Sequence, residues 1–383
     1  MMQKNNDNNF YDVLIVGAGP AGCATALALK DSGLKIAITD KHNFPRDKVC
    51  GDAIPGRAIK WLKEIDASFK DELAAFDEKI VTKKTVCYYN NKEVEFNWKQ
   101  EAYTSARMDF DNFLFSTVKN KTAISVFENT EIKDIIKEEN GFTVSTRNNT
   151  SVFKATMLIG ADGINGVTAK KLAGFQIDRK HHVASVRAYY TNINDIEASR
   201  SEIYFDKKYL PGYFWIFPVT NGIANVGFGM LSEDVVQKNI NIKKSFYDFI
   251  ERSAVLKQKF EQAKAEGSLQ GCGLPLGSRW MQMSGDNFLL TGDAASLVDP
   301  VSGAGIGNAV LSGKLAAEQV IKCFETKNFS AAFINTYDKK LYKMIGVELK
   351  KNGIALKYFS RMPLLINIAF SLGKSNFLKK FIK

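Results

Sequence analysis

The chain has 383 residues, 45% of them hydrophobic and 24% charged, with a formal charge of +11. That balance excludes wholesale disorder and leaves apolar material for a sizeable core, while the positive charge favours anionic partners of any kind: nucleic acid, acidic lipid or phosphate-bearing ligands. Five cysteines with no CxxC pair argue against a zinc site or a disulfide framework and point to a reducing compartment, and no metal is expected. The opening MMQKNNDNNF is polar. No stretch reaches the roughly 18 apolar residues of a spanning helix. The expectation is a cytoplasmic protein, at most peripheral to the inner face of the membrane.

Residues 13–16 form a short apolar run, as a buried parallel strand should. G-A-G-P-A-G follows. In this pattern Gly17 permits a tight turn, Gly19 lets the backbone approach a pyrophosphate, and Gly22 lets the next helix pack against the strand. Pro20 suits a first helical turn, and Gly33 suits its end. The helix start offers free amides and a positive dipole end to phosphate. A second apolar strand at 35–39 leads to Asp40, at the distance where a carboxylate accepts from a ribose. This pattern binds a dinucleotide; by itself it does not separate NAD from FAD.

Three later stretches bear on the choice. Residues 105–120 predict a helix with Arg107 at its start, able to reach a pyrophosphate or lie over a flavin. Residues 157–174 predict a buried strand ending in Gly160-Ala161-Asp162-Gly163, then a helix. Residues 287–321 predict a strand ending in Gly292-Asp293, then a glycine-rich turn opening a long helix. Asp293 would accept from ribityl hydroxyls, and the helix start would put amides and a dipole near an electron-rich ring.

In this order, from about residue 11 to about 320, the segments resemble the flavoprotein superfamily of p-hydroxybenzoate hydroxylase type. The resemblance implies an α/β fold: a Rossmann-like FAD-binding domain, an inserted antiparallel-sheet substrate domain and a helical C-terminal segment. It implies FAD as cofactor. The cofactor contacts expected are Gly17, Gly19, Ala21, Gly22, Asp40, Lys41, Cys50, Gly51, Arg107, Ile132, Asp162, Asp293, Gly303, Gly305 and Ile306.

Two further motifs, FPRDKVCGD and YFWIFPVTNGIANVGFG, resemble the geranylgeranyl reductase branch. That branch carries a K-x-C-G turn near the flavin, here Lys48, Cys50 and Gly51, and a Y-x-W-x-F-P motif along the substrate cavity, here Tyr213, Trp215, Phe217 and Pro218. Tyr213, Trp215 and Phe217 alternate, so they leave one face of a strand. Residues 225–229 then read as the returning strand of a hairpin. An aromatic face with few polar anchors suits a long hydrocarbon, although the same three rings could simply fill a core. Cys50 reads as a small polarizable wall of the cavity or a weak proton donor to a substrate carbon. A disulfide to Cys272 would need the fold to bring the two together.

The expected division is 1–79, 105–179 and 281–320 for FAD, 80–104 and 180–280 for the substrate sheet, and 321–383 for the helical segment. His181 and His182, at the entry of the sheet, read as surface residues. The tail from about 339 is rich in lysine and apolar residues; it suits either an anionic bilayer or a lid. No motif supports nucleic acid.

The activity expected from the resemblance is FAD-dependent reduction of isolated C=C bonds in a prenyl or other lipid chain, with NAD(P)H or a protein as electron donor. The rivals are an FAD monooxygenase on an apolar or aromatic substrate, a halogenase, and a non-catalytic flavin- or lipid-binding protein. No strong acid stands out as the proton source.

Overall fold

The computed structural model describes residues 9–98, 100–147, 151–361 and 370. Five parallel strands run side by side in the order Phe288–Leu290, Val152–Gly160, Phe10–Val16, Ile36–Thr39 and Ser125–Phe127. Val13, Leu14 and Ile15 of the central strand are wholly buried, as are Leu158 and Ile159 beside them. Helices cover the sheet, so its strands read as unbroken apolar runs rather than alternating ones. An antiparallel hairpin, Ile132–Glu138 and Gly141–Thr146, joins the early part of Val152–Gly160.

The order of the strands shows where the chain leaves this sheet. Between Ile36–Thr39 and Ser125–Phe127 it contributes Lys84–Tyr89 and Lys92–Asn97 to a second, seven-stranded sheet. Between Val152–Gly160 and Phe288–Leu290 it contributes the other five strands. These are His182–Thr191, Arg200–Phe205, Tyr213–Pro218, Ala224–Leu231 and Lys264–Pro275. All neighbours in this sheet are antiparallel except Arg200–Phe205 against Lys84–Tyr89. A third, small sheet of Ala53–Ile54, Tyr103–Thr104 and Ile80–Val81 flanks the first of these excursions in sequence. Tyr103–Thr104 therefore pairs with Ala53–Ile54 after the Cys50 turn on one side and with Ile80–Val81 on the other, and none of the three joins the seven-stranded sheet.

The seven-stranded sheet sorts its side chains by parity. Phe214 and Ile216 are fully buried and pack with Phe246 and Phe249 of helix Ile242–Arg252. The odd residues of the same strand, Tyr213, Trp215 and Phe217, face the other way, toward the first domain.

Helix Pro20–Ala28 packs against the long helix Ile306–Thr326 through small residues. A Cβ on Gly313 would stand 2.4 Å from the Ala21 carbonyl oxygen. The expected boundary at 320/321 falls inside this unbroken helix. Ile334, Tyr337, Leu341, Ile345 and Leu349 beyond it belong to the same core as the parallel sheet. The described part of the C-terminal segment up to 361 is thus helical, and its helices Ala331–Leu341 and Val347–Arg361 are built onto the parallel-sheet domain. Phe370 is buried against Tyr89 and Phe205 of the second sheet, at ring distances of 5.5 and 6.0 Å. The remainder of the lysine-rich tail, which suits either a bilayer surface or a lid, lies outside the described residues. Among the described residues no helix is long and apolar enough to cross a membrane.

Candidate active site

The turn after the first strand is built around missing side chains. Gly17 has φ +103, and a Cβ there would lie 2.4 Å from the Ala161 carbonyl oxygen. A Cβ on Gly22 would lie 1.8 Å from the Gly17 carbonyl oxygen. Gly19 differs: the nearest atom to its Cβ position is Arg46 Nη2 at 3.6 Å. Space is therefore left in front of Gly19, next to a guanidinium. Helix Pro20–Ala28 starts there with no side-chain cap and no acid in its first turn. Its free amides and positive dipole end remain available to an anion.

Asp40 fixes this turn from below. Its Oδ2 accepts from the Ala18 amide at 2.9 Å and its Oδ1 from the His42 amide at 3.0 Å. Lys41 beside it is exposed. The Asp40 carbonyl accepts from the Thr130 amide, which brings the Ile132 strand alongside. Ala21 is buried, and a Cβ on Gly292 would meet its methyl at 3.0 Å. Asp162 faces inward: its carboxylate accepts from the Thr168 amide at 3.0 Å and from the Thr168 hydroxyl. What it offers the turn is main chain, since the Asp162 amide nitrogen stands 2.7 Å from the Cβ position of Gly17.

Arg107 is also turned inward. Its Nε and Nη2 hold both oxygens of Asp111, one helical turn on, at 2.6 Å each, and both side chains are buried. Burial acts against the guanidinium charge; Asp111 and, behind it, Cys50 more than offset this and hold it well above its ordinary range. The arginine that faces the Gly19 turn is Arg46, which shares Asp111 at 2.8 Å and lies over the Phe44 ring.

Across the site, strand Phe288–Leu290 delivers Asp293. Lys48 Nζ stands 2.8 Å from its Oδ2. Burial acts to raise this carboxyl, but Lys48 outweighs it and holds Asp293 below its usual range. Helix Ile306–Thr326 begins close by, capped only by Gly305 and with no acid in its first turn. A Cβ on Gly305 would stand 3.6 Å from Asp293 Oδ1. Ile306, its first residue, is buried. This second uncapped helix start thus lies beside the Lys48–Asp293 pair.

The wall facing this region is aromatic. Tyr213 donates to the Ser302 carbonyl at 2.8 Å, and a Cβ on Gly303 would touch the same hydroxyl. A Cβ on Gly51 would lie 3.3 Å from the Phe217 ring and 3.6 Å from Trp215 Nε1. Trp215 lies flat over Gly227, where no Cβ fits. The three rings of the Y-x-W-x-F-P motif therefore meet both the K-x-C-G turn and the glycine-rich helix start. A cleft of about 500 Å³, lined in part by Ile80, Ile196, Pro218 and Val219, opens at the Pro218 end of this wall.

Several residues that the sequence did not single out tie the wall to the turn. Asn225 Nδ2 donates to the Cys50 carbonyl at 2.8 Å and to Asp52 Oδ2 at 2.7 Å, while its Oδ1 accepts from Trp215 Nε1 at 2.9 Å. Tyr189 donates to the same Asp52 oxygen at 2.7 Å, and Arg187 holds Asp47 at 2.8 Å. The available signal was alternation: Arg187 and Tyr189 share a face of one strand. Cys272 is half-buried, and its carboxylate and thiol neighbours include Asp293 and Cys50; all five cysteines are free. His181 and His182 each meet a serine hydroxyl, of Ser278 and Ser232. Among the described residues no group of three or more His, Cys, Asp and Glu is placed to hold a metal.

Two uncapped helix starts, an open glycine turn under Arg46 and a set of internally paired charges fit a bound dinucleotide. Residues 10–340 match the model of one family, described as FAD binding domain. The chain belongs to the FAD binding domain family. It is an FAD-dependent oxidoreductase, and FAD is its cofactor.

This flavoprotein is 28% identical over 358 residues to the digeranylgeranylglycerophospholipid reductase of Methanococcus vannielii, covering 91% of this chain and 87% of the relative. It is 28% identical over 328 residues to the menaquinone reductase of Mycobacterium tuberculosis, covering 80% and 76%. Its fold is similar to that of a geranylgeranyl bacteriochlorophyll reductase-like protein from Thermoplasma acidophilum, with a TM-score of 0.79, 24% identity and coverage of 92% and 88%. A mutant halogenase, PltM, in complex with FAD shares the fold at a TM-score of 0.76 and 17% identity, over 91% and 77%.

Proposed function

We propose that this flavoprotein reduces isolated C=C bonds of a prenyl or related lipid chain. The observation that carries the reading is the contact of Tyr213, Trp215 and Phe217 with the Gly51 turn and the Ser302–Gly303 segment. These rings wall the site with apolar surface and leave few polar anchors, as a hydrocarbon requires. The relatives named as reductases of a digeranylgeranyl lipid and of menaquinone support the same substrate class.

In this reading Gly17, Gly19 and Gly22, the start of helix Pro20–Ala28 and Arg46 hold the pyrophosphate. Asp40 serves the ribose and Asp293 the ribityl chain, while Gly303, Gly305 and Ile306 bring helix amides to the ring. Reduced FAD supplies the hydride. The protein's share is to exclude water, orient the alkene against the Trp215 wall, and provide a proton. Electrons reach the cofactor from NAD(P)H or from a protein donor.

The test is anaerobic. The purified holoprotein is reduced with dithionite and given a geranylgeranyl lipid, and the lipid mass is followed. Gain of hydrogen pairs is expected. An unchanged lipid with turnover only on admission of oxygen would replace this reading by a monooxygenase.

A further inference from the structure

Asp52 follows the K-x-C-G turn and is wholly buried. Its backbone takes φ +61, a left-handed conformation that aspartate tolerates better than most residues, and its carbonyl accepts from the Ser105 amide. That conformation turns the side chain under the aromatic wall. There Oδ2 accepts from Tyr189 and from Asn225, at 2.7 Å each. Oδ1 has no partner.

A second buried orphan lies in the same cluster. Arg187 spends Nη2 on Asp47 and stacks over the Tyr189 ring at 4.3 Å, but its Nε meets no acceptor among the described residues. An acceptor without a donor, near a donor without an acceptor, is rare inside a protein, where most buried polar atoms are bonded.

The charges around Asp52 work in opposite directions. Burial is the largest influence and raises the carboxyl to about 6; Arg187, Tyr189, Asn225 and the more distant Arg107 act against it. Cys50 lies in its own turn, and Asp47 answers Arg187. Tyr189 keeps its own proton, because burial and the neighbouring Asp52 both push it up. It can therefore only donate to the carboxylate.

We propose that Asp52 is the proton reservoir of this site: its carboxyl carries a proton on Oδ1 and gives it up when an alkene carbon is protonated. The assignment rests on the alkene-reductase reading. The π bond of the alkene breaks and two C–H bonds form. One receives the hydride that reduced FAD supplies, and the other receives the proton. The Asp52 O–H bond breaks, the resulting carboxylate is held by Tyr189 and Asn225, and water reloads it. The cofactor loses the two electrons that the lipid gains. Asp52 is a positioning residue in this scheme: it does not touch the alkene, and water carries its proton into the cavity.

Two measurements on the holoprotein test this. The first is an infrared titration of the carboxylic-acid carbonyl band, comparing wild type with Asp52→Asn. A band that disappears as the pH rises through about 6, and is missing in the variant, is expected. Tyr189→Phe removes a hydrogen bond to the carboxylate and should move that midpoint to higher pH. The second is single-turnover reduction of a geranylgeranyl lipid. Asp52→Asn should slow it by about 100-fold or more with flavin content unchanged, and Tyr189→Phe should shift its pH profile along with the infrared midpoint. A carboxylate that stays ionised down to pH 4 overturns the assignment. So does a wild type that saturates the lipid with Asp52→Asn equally fast. A wild type that saturates no lipid defeats the reaction itself, an outcome distinct from either.

Discussion

Lys48 Nζ and Asp293 Oδ2 stand 2.8 Å apart although 245 positions separate them in sequence. The pair joins the K-x-C-G turn to the end of strand Phe288–Leu290. Lys48 keeps 38% of its side-chain exposure and Asp293 17%, so the pair is partly screened and its loss is modest. Lys48→Met should cost about 1 kcal/mol at pH 7. The folded carboxyl titrates below its unfolded value, so its contribution is present above about pH 4 and fades as pH falls further. Urea melts of the two proteins should differ more at pH 7 than at pH 3. A constant gap at both pH values would mean that the pair adds no charge-dependent stability.

Gly19 and Gly22 should respond differently to one methyl group. A Cβ on Gly22 would lie 1.8 Å from a backbone oxygen, which no small shift relieves. Gly22→Ala should lose about 3 kcal/mol or more, or fail to fold. A Cβ on Gly19 has 3.6 Å of clearance and an ordinary φ of −73. Gly19→Ala should leave the apoprotein's thermal midpoint nearly unchanged, yet bind FAD at least about 10-fold more weakly, a loss of about 1.4 kcal/mol. Apoprotein melting and a flavin titration, run side by side, measure both.

Neighbours on one strand should also separate. Phe214 is fully buried among Phe246 and Phe249, and Phe214→Ala should lower stability by about 3–5 kcal/mol. Trp215 faces the Gly51 turn. Trp215→Leu should change lipid turnover far more than it changes the melting midpoint. Equal losses of stability from both would argue that Trp215 is simply core.

Asp52 makes the pH dependence of stability a further check. An acid whose folded value lies near 6, above an unfolded value near 3.9, contributes stability below about pH 4. That contribution is lost as pH rises through about 6, by about 3 kcal/mol. The stability of wild type relative to Asp52→Asn should therefore fall by an amount of that order between pH 4 and pH 7. A difference that is flat across this window would mean that Asp52 is ionised throughout.

The parallel sheet, the glycine turn and the aromatic face were legible because each rests on local spacing: three glycines in six residues, and rings at every second position. What the sequence hid lies in pairings across long separations. Asp52 reads as an ordinary turn residue until Tyr189 and Asn225, 137 and 173 positions away, bury it. Arg107 looked free to reach a ligand, but the i+4 acid Asp111 claims it. Arg46, two residues before Lys48, faces the Gly19 turn instead. The helix that runs through 320/321 has no breaker at that point, so a boundary drawn from the end of the family resemblance had no physical counterpart.

The central claim concerns the alkene, and the most direct measurement is flavin reoxidation without oxygen. Holoprotein reduced under argon is mixed with a geranylgeranyl lipid while the flavin absorbance and the lipid mass are recorded. The account predicts one flavin reoxidised for each double bond saturated. A flavin that stays reduced under argon and reoxidises only in oxygen, with the lipid unchanged, would contradict it.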